Sequence, residues 1–227
     1  MKDLYYVLMK NNLGNASTCR KLIKQGKITV NGEVIKNHKY PVKFSDQIIY
    51  QQTILKAQPF TYIMLNKPKG YICANRDLKY PCVIDLITNK DCYCLGRLDK
   101  DTTGLLILTD DHSLSKKLLL PSNHVIKKYL VETQKKITNN LKEVFLQGII
   151  IDHNIKCLPA EFEMIDDFHC YLSISEGKYH QIKKMFKSLD NEVVNLKRIE
   201  FGSLKLDERL KEGEFRDLTN QEILSLL

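Results

Sequence analysis

Two carboxylates and two cations fall in one short polar stretch, Gly96-Arg97-Leu98-Asp99-Lys100-Asp101-Thr102-Thr103-Gly104, set between the apolar runs Tyr93–Leu95 and Leu105–Leu108. A loop held between two strands is where a fold commonly presents reactive groups. Asp99 or Asp101 placed there has acid, base or nucleophilic chemistry open to it. The same two residues also suit a plainer role, accepting side-chain-to-backbone bonds that shape a turn. Read as a pair, they resemble the acid couple of a glycosidase. That reading lacks a second carboxylate segment and a sugar-binding aromatic platform, and the chain has no Trp.

A second concentration of chemistry lies at Tyr179–Leu189, where Ile182, Met185, Phe186 and Leu189 recur at helical spacing. His180, Lys183, Lys184 and Lys187 take the rest of that helix, a basic face for solvent or phosphate. Metal chemistry is not indicated. The six His residues have no ligand spacing with Cys or acidic partners, and Cys92-Tyr93-Cys94 has no second pair to complete a zinc site. The seven cysteines include no CxxC pair and no disulfide ladder, so they read as reduced core thiols.

The elements that must hold these residues are legible in outline. Leu4–Met9 and Ser17–Gln25 have helical spacing, the second ending at Gly26 and opposing its Cys19, Leu22 and Ile23 stripe with Arg20, Lys21, Lys24 and, just beyond, Lys27. Two alternating stretches around Asn31-Gly32 then predict a tight hairpin. Residues 51–59 read as a linker, which divides the chain into 1–55 and 56–227. The second part mixes strand-like runs, Tyr62–Leu65, Gly104–Leu108, Tyr129–Val131 and Cys170–Ile174, with helical ones, which makes it α+β. Asp110 and Asp111 are placed to cap a helix starting near Ser113. Thr219 and Glu222 have the spacing of a capping box.

Charge is distributed unevenly. Residues 1–55 carry nine Lys/Arg against three Asp/Glu, a surplus of +6 that leaves only +2 of the net +8 for the rest. A field concentrated in this way attracts polyanions, nucleic acid first among them. No apolar stretch reaches signal-peptide or membrane-spanning length, so the expected location is cytoplasmic, with no membrane partner.

The motif from Gly96 through Asp111 resembles the signature segment of bacterial ribosomal-RNA pseudouridine synthases. Three further segments resemble the same family in the same order: Met64-Leu-Asn-Lys-Pro-Lys-Gly70-Tyr71, Lys127-Lys-Tyr129, and Glu176-Gly-Lys-Tyr-His-Gln-Ile-Lys-Lys-Met-Phe186. Residues 1–55 are similar to the small RNA-binding domain of the ribosomal protein S4 type.

The resemblance implies a mainly antiparallel mixed sheet with helices on it behind a small α/β N-terminal domain. It implies isomerisation of a uridine in ribosomal RNA without a cofactor or metal. Asp99 would be the catalytic carboxylate, Tyr129 the ring stacked on the uracil, and Lys183, with Lys184 competing, the cation that keeps the carboxylate ionised. Arg97 would fill the gap left by the extruded base or clamp a phosphate, a simple ion pair with Asp101 or another acid being the alternative. Lys67, Lys69, His180, Gln181 and Lys184 would lie along the RNA path, with Arg20, Lys21, Lys24 and Lys27 on the first domain. The Lys178-Tyr179-His180-Gln181 wording is similar to the small-subunit (16S) branch, met as a monomer on RNA or a pre-ribosomal particle. A large-subunit (23S) enzyme and a non-catalytic ribosome-associated RNA binder stand as alternatives.

Overall fold

The computed structural model describes residues 2–58, 60–138 and 140–226, and the chain divides into two units, Met1–Phe60 and Thr61–Leu227. In the first unit, strand β1 (Lys2–Asp3) leads into helices α1 (Leu4–Lys10) and α2 (Ala16–Lys24). Strands β2 (Ile28–Val30), β3 (Glu33–Val34), β4 (Pro41–Val42), β5 (Ile48–Tyr50) and β6 (Thr53–Leu55) follow. Leu4, Val7 and Leu8 of α1 meet Cys19 and Ile23 of α2 over Ile28, Val30 and Ile48, giving this short segment a core of its own. Asn15 caps α2 by accepting the Thr18 N–H at 2.9 Å.

Asn31 and Gly32 take φ of 53° and 86°, the left-handed pair that a two-residue hairpin turn requires. The resulting sheet has the order β3-β2-β5-β6. Part of the expected linker belongs to it. Gln51 and Gln52 adopt φ of 46° and 68° and turn the chain back, so Thr53–Leu55 pairs with β5. Gln-Gln has no sequence signal for such a turn. Arg20, Lys21, Lys24 and Lys27 are all exposed, away from the buried Cys19 and Ile23.

The second unit opens with β7 (Tyr62–Lys67), β8 (Tyr93–Leu95), β9 (Thr103–Thr109), α3 (His112–Leu119) and β10 (Lys127–Thr133). Next come α4 (Leu141–Gln147), β11 (Ile150–Ile151), β12 (Ile155–Lys156), β13 (Glu161–Met164) and β14 (His169–Ile174). It closes with α5 (Gln181–Ser188), β15 (Val193–Phe201), β16 (Leu204–Lys205), β17 (Phe215–Asp217) and α6 (Asn220–Leu226). The main sheet runs β13-β14-β10-β15-β9-β7-β17, with β16 on β15 and β8 on β9. Its pairings are antiparallel except for β15 with β9. No helix among the described residues is long and apolar enough to cross a membrane.

Continuous apolar runs at β7 and β9 make strands buried at every residue, the pattern of a strand covered on both faces. β10 and β14 alternate instead, burying Tyr129, Val131, Cys170, Leu172 and Ile174 against α4 and α5. Phe145 of α4 bridges that layer, its ring 5.3 Å from Phe162 and 5.4 Å from Phe186.

At the parallel pairing the backbones approach so closely that a Cβ on Gly104, whose φ is +99°, would lie 2.2 Å from the Arg198 carbonyl oxygen. Only glycine fits there. The Arg198 side chain is buried and donates Nε–H to the Leu105 carbonyl at 2.7 Å, which fastens β15 to β9.

Asp111 caps α3, accepting the Ser113 and Leu114 N–H groups. Asp110, expected to share that role, instead accepts the Thr61 N–H at 2.8 Å and fixes the start of β7. The capping box forms: Glu222 accepts the Thr219 N–H at 2.7 Å, and Thr219 Oγ1 accepts the Glu222 N–H at 3.2 Å.

Candidate active site

Residues 96–102 join β8 to β9, and backbone bonds on both sides of Asp99 hold them. Thr102 N–H donates to the Asp99 carbonyl at 3.1 Å, and Gly70 N–H to the Lys100 carbonyl at 2.8 Å. Beneath the loop lies Lys67, at 0% exposure. Its ammonium donates to the carbonyls of Pro68 (3.0 Å), Lys100 (3.2 Å) and Thr102 (2.8 Å). Burial pushes its pKa below the ordinary lysine value, against the raising influence of Cys73, Asp101 and Asp99. Lys67 therefore clamps the loop and is removed from any RNA path, contrary to the sequence expectation. A strand covered on both faces has no solvent side to offer it.

Cys73 supports the loop from the other side, its sulfur accepting the Leu98 N–H at 3.2 Å. A hydrogen bond from Cys94 pulls the Cys73 thiol down to about 7, with the Leu98 N–H and the charges of Lys67 and Arg198 assisting against burial. All seven cysteines are free.

With the backbone held in this way, the Asp99 carboxylate faces outward to two bases rather than bonding a turn. His180 Nε2 stands 3.6 Å from Oδ1, and Lys183 Nζ 3.4 Å from Oδ2. Lys183 also bonds Asp101 Oδ1 at 2.5 Å. Partial burial would raise the Asp101 carboxyl, but the Lys183 hydrogen bond and charge outweigh it and hold the group below its ordinary value. The partner of Asp101 is thus Lys183 and not Arg97. Lys184 bonds Asp152 at 2.5 Å, which leaves Lys183 as the lysine at Asp99.

Asp99 and Tyr129 line a cavity of about 90 Å³ with Arg97, Lys178, His180 and Ile182 among its walls. The Tyr129 ring comes from β10 and is 7% exposed, packed against the core on one side. Arg97 and Lys69 are exposed, Lys69 donating to Asn195 on β15. Gln181, expected on the RNA path, also lines the cavity but is 3% exposed with both amide ends engaged. Its Oε1 accepts the Lys178 N–H at 2.9 Å and its Nε2 donates to Glu176 at 2.8 Å, so it braces the turn into α5. Sequence reasoning placed His180 on RNA; its nearness to the Asp99 carboxylate depends on the left-handed conformation (φ 51°) that it takes at the N-cap of α5. No pattern in the sequence announces that conformation. Among the described residues no cluster of three His, Cys, Asp or Glu side chains could hold a metal ion.

A carboxylate, an aromatic ring and an imidazole thus line one cavity, and the Lys183 ammonium stands against the carboxylate. A family model described as RNA pseudouridylate synthase matches residues 61–188, and one described as S4 domain matches residues 7–48. The chain belongs to the RNA pseudouridylate synthase family and carries an S4 domain in front. It is 38% identical over 216 residues, 93% of each chain, to the Haemophilus influenzae protein named ribosomal small subunit pseudouridine synthase A. To the Salmonella typhimurium protein of that name it is 39% identical over 210 residues, 90% of each chain. A crystal structure described as pseudouridylate synthase aligns over 100% of both chains at 36% identity, with a TM-score of 0.71.

Proposed function

We propose that this protein isomerises a specific uridine to pseudouridine in 16S ribosomal RNA, with Asp99 as the catalytic carboxylate. The observation that carries this reading is the Asp99 carboxylate lining one cavity with Tyr129, within 3.6 Å of His180 and 3.4 Å of Lys183. The reaction breaks N1–C1′, turns the detached uracil in place and joins C5 to C1′, so atoms balance within one substrate. Asp99 opens it, as nucleophile on the sugar or ring or as base toward a ribose proton. Tyr129 stacks on the uracil, and its hydroxyl helps move the C5 proton. Lys183 keeps Asp99 ionised once RNA closes over the site.

Arg97 and Lys69, both exposed, take phosphates or the vacated stack. The S4 unit adds affinity through Arg20, Lys21, Lys24 and Lys27. The names of the relatives favour small-subunit over large-subunit RNA. The protein acts in the cytoplasm as a monomer, on ribosomal RNA or a pre-ribosomal particle.

The test is pseudouridine mapping in ribosomal RNA from cells with and without the gene, together with single-turnover assays of Asp99→Asn. One 16S pseudouridine should vanish from the deleted strain, and the variant should fall to background while still binding RNA. Unchanged 16S modification, or wild-type turnover by Asp99→Asn, would refute the proposal.

A further inference from the structure

The turn that delivers His180 to Asp99 also carries an aromatic ring with no part in the chemistry above. Tyr179 is 73% exposed. Large aromatic rings usually bury much of their area, and a ring left in solvent beside a reactive cavity forgoes that stabilisation.

The exposure does not come from a loose segment. Glu176 accepts the Leu158 N–H at 2.9 Å, the Gln181 amide at 2.8 Å and the Lys178 ammonium. Gln181 N–H donates to the Lys178 carbonyl at 3.1 Å. The turn is thereby tied to α5 on one side and to the segment after β12 on the other. His180 adds a left-handed conformation, φ 51° and ψ 33°, which costs a non-glycine residue free energy. The outcome of these constraints is a stack: the Tyr179 and His180 rings lie 3.9 Å apart at 19°. The same His180 points Nε2 at Asp99 from 3.6 Å. One face of Tyr179 thus rests on a residue of the site while most of its area stays open, and the Lys184 ammonium stands 5.0 Å from its centroid.

An open, rigidly held aromatic face is what an unpaired nucleobase stacks on. We propose that Tyr179 is a stacking platform for the base next to the target uridine, and that through His180 it sets the RNA's position over Asp99. This rests on the isomerase reading of the preceding subsection. It makes Tyr179 a positioning residue that favours an unpaired neighbour, since a paired base must first be unpaired and unstacked to lie there.

The test uses a 16S fragment containing the mapped uridine, with 2-aminopurine at the nucleotide 5′ or 3′ to it. Wild type should quench the fluorescence of one of the two RNAs on binding. Tyr179→Phe should keep both the quench and turnover, because a ring suffices. Tyr179→Leu should lose the quench and about tenfold in kcat/KM, mostly through KM. A Tyr179→Leu variant that quenches and turns over like wild type on both RNAs would overturn the platform. Pseudouridine formation by wild type on the same RNA reports on the isomerase reading alone: without product that reading falls, whereas product alongside an unaffected Tyr179→Leu removes only the platform.

Discussion

The Lys183 ammonium stands 3.4 Å from the Asp99 carboxylate while it is bonded at 2.5 Å to Asp101. The cation is therefore shared, with the shorter distance to the carboxylate that is not proposed to react. Lys183→Met should lower single-turnover rates by about 100-fold, close to 2.7 kcal/mol of barrier. Asp101→Asn leaves Lys183 to Asp99 alone and should keep most activity. Pseudouridine formation by both variants, measured beside wild type, decides the matter. A dead Asp101→Asn with an active Lys183→Met would reverse the two assignments.

Lys67 makes a different prediction from the RNA-binding role its sequence suggests. Lys67→Met keeps most of the apolar stem but takes the ammonium from the Pro68 and Thr102 carbonyls, the Lys100 carbonyl keeping the Gly70 N–H, at a cost of about 3 kcal/mol. The urea midpoint and turnover should fall together, while RNA affinity measured below the unfolding transition should hold. A drop in affinity at unchanged stability would return Lys67 to the RNA path.

Gly104→Ala tests the close approach of β9 and β15. Its Cβ would sit 2.2 Å from the Arg198 carbonyl, so one strand must move. We expect a loss of about 3 kcal/mol or more, read as a fall in thermal midpoint. Gly70→Ala is the matched comparison, since nothing lies within 4 Å of a Cβ at that position and only its φ of +90° opposes the change.

These positions mark how far the sequence speaks for the structure. Local patterns carried the elements: the Asn31-Gly32 turn, the apolar stripe of α5 and the Asp111 and Thr219–Glu222 caps all form. The polar loop around Asp99 was legible for the same reason, being bounded by two strands that announce themselves. What was not legible depends on distant pairings. Lys67 is buried because β7 is covered on both faces, and Gly104 is required because β15, about 90 residues later in the chain, runs parallel beside it. His180, Lys183 and Gln181 are similar polar residues on one turn of sequence, and only packing separates the two that face Asp99 from the one that braces the turn. Asp110 and Asp111 divide in the same way, one holding a strand and the other a helix.

The exposed basic residues of α2 and Lys27 just beyond it are expected to act on affinity rather than chemistry. Replacing Lys21, Lys24 and Lys27 with Gln should weaken RNA binding at low salt and flatten its salt dependence, by about 0.7 to 0.9 in log–log slope for each phosphate that the variant leaves unneutralised. Single-turnover rates at saturating protein should stay near wild type. Equal slopes for variant and wild type, from filter binding across a salt series, would mean that these exposed lysines meet solvent and not phosphate.

Acid stability near the C-terminal helix should depend on the carboxylates that Arg216 holds. Arg216 bonds Glu222 through both terminal nitrogens, at 2.9 and 2.8 Å, and donates Nε–H to Asp207 at 2.8 Å. The Arg216 hydrogen bond, followed by the Thr219 N–H and hydroxyl, outweighs partial burial and holds the Glu222 carboxyl at about 2 instead of its ordinary 4.5. A group depressed in the folded state stabilises the fold above its unfolded pKa and loses that contribution as pH falls toward the folded one. Glu222 should therefore contribute fully at neutral pH, and its contribution should fade between about 4.5 and about 2. Solvent screening at this partly exposed pair limits the gain to roughly 1 kcal/mol. Urea midpoints of wild type and Glu222→Gln should differ by a constant amount from pH 7 down to about 5 and converge below it, because Gln retains the shape but not the charge. A gap that persists undiminished at pH 3 would mean that Glu222 acts through the uncharged part of its cap on Thr219 and not through Arg216.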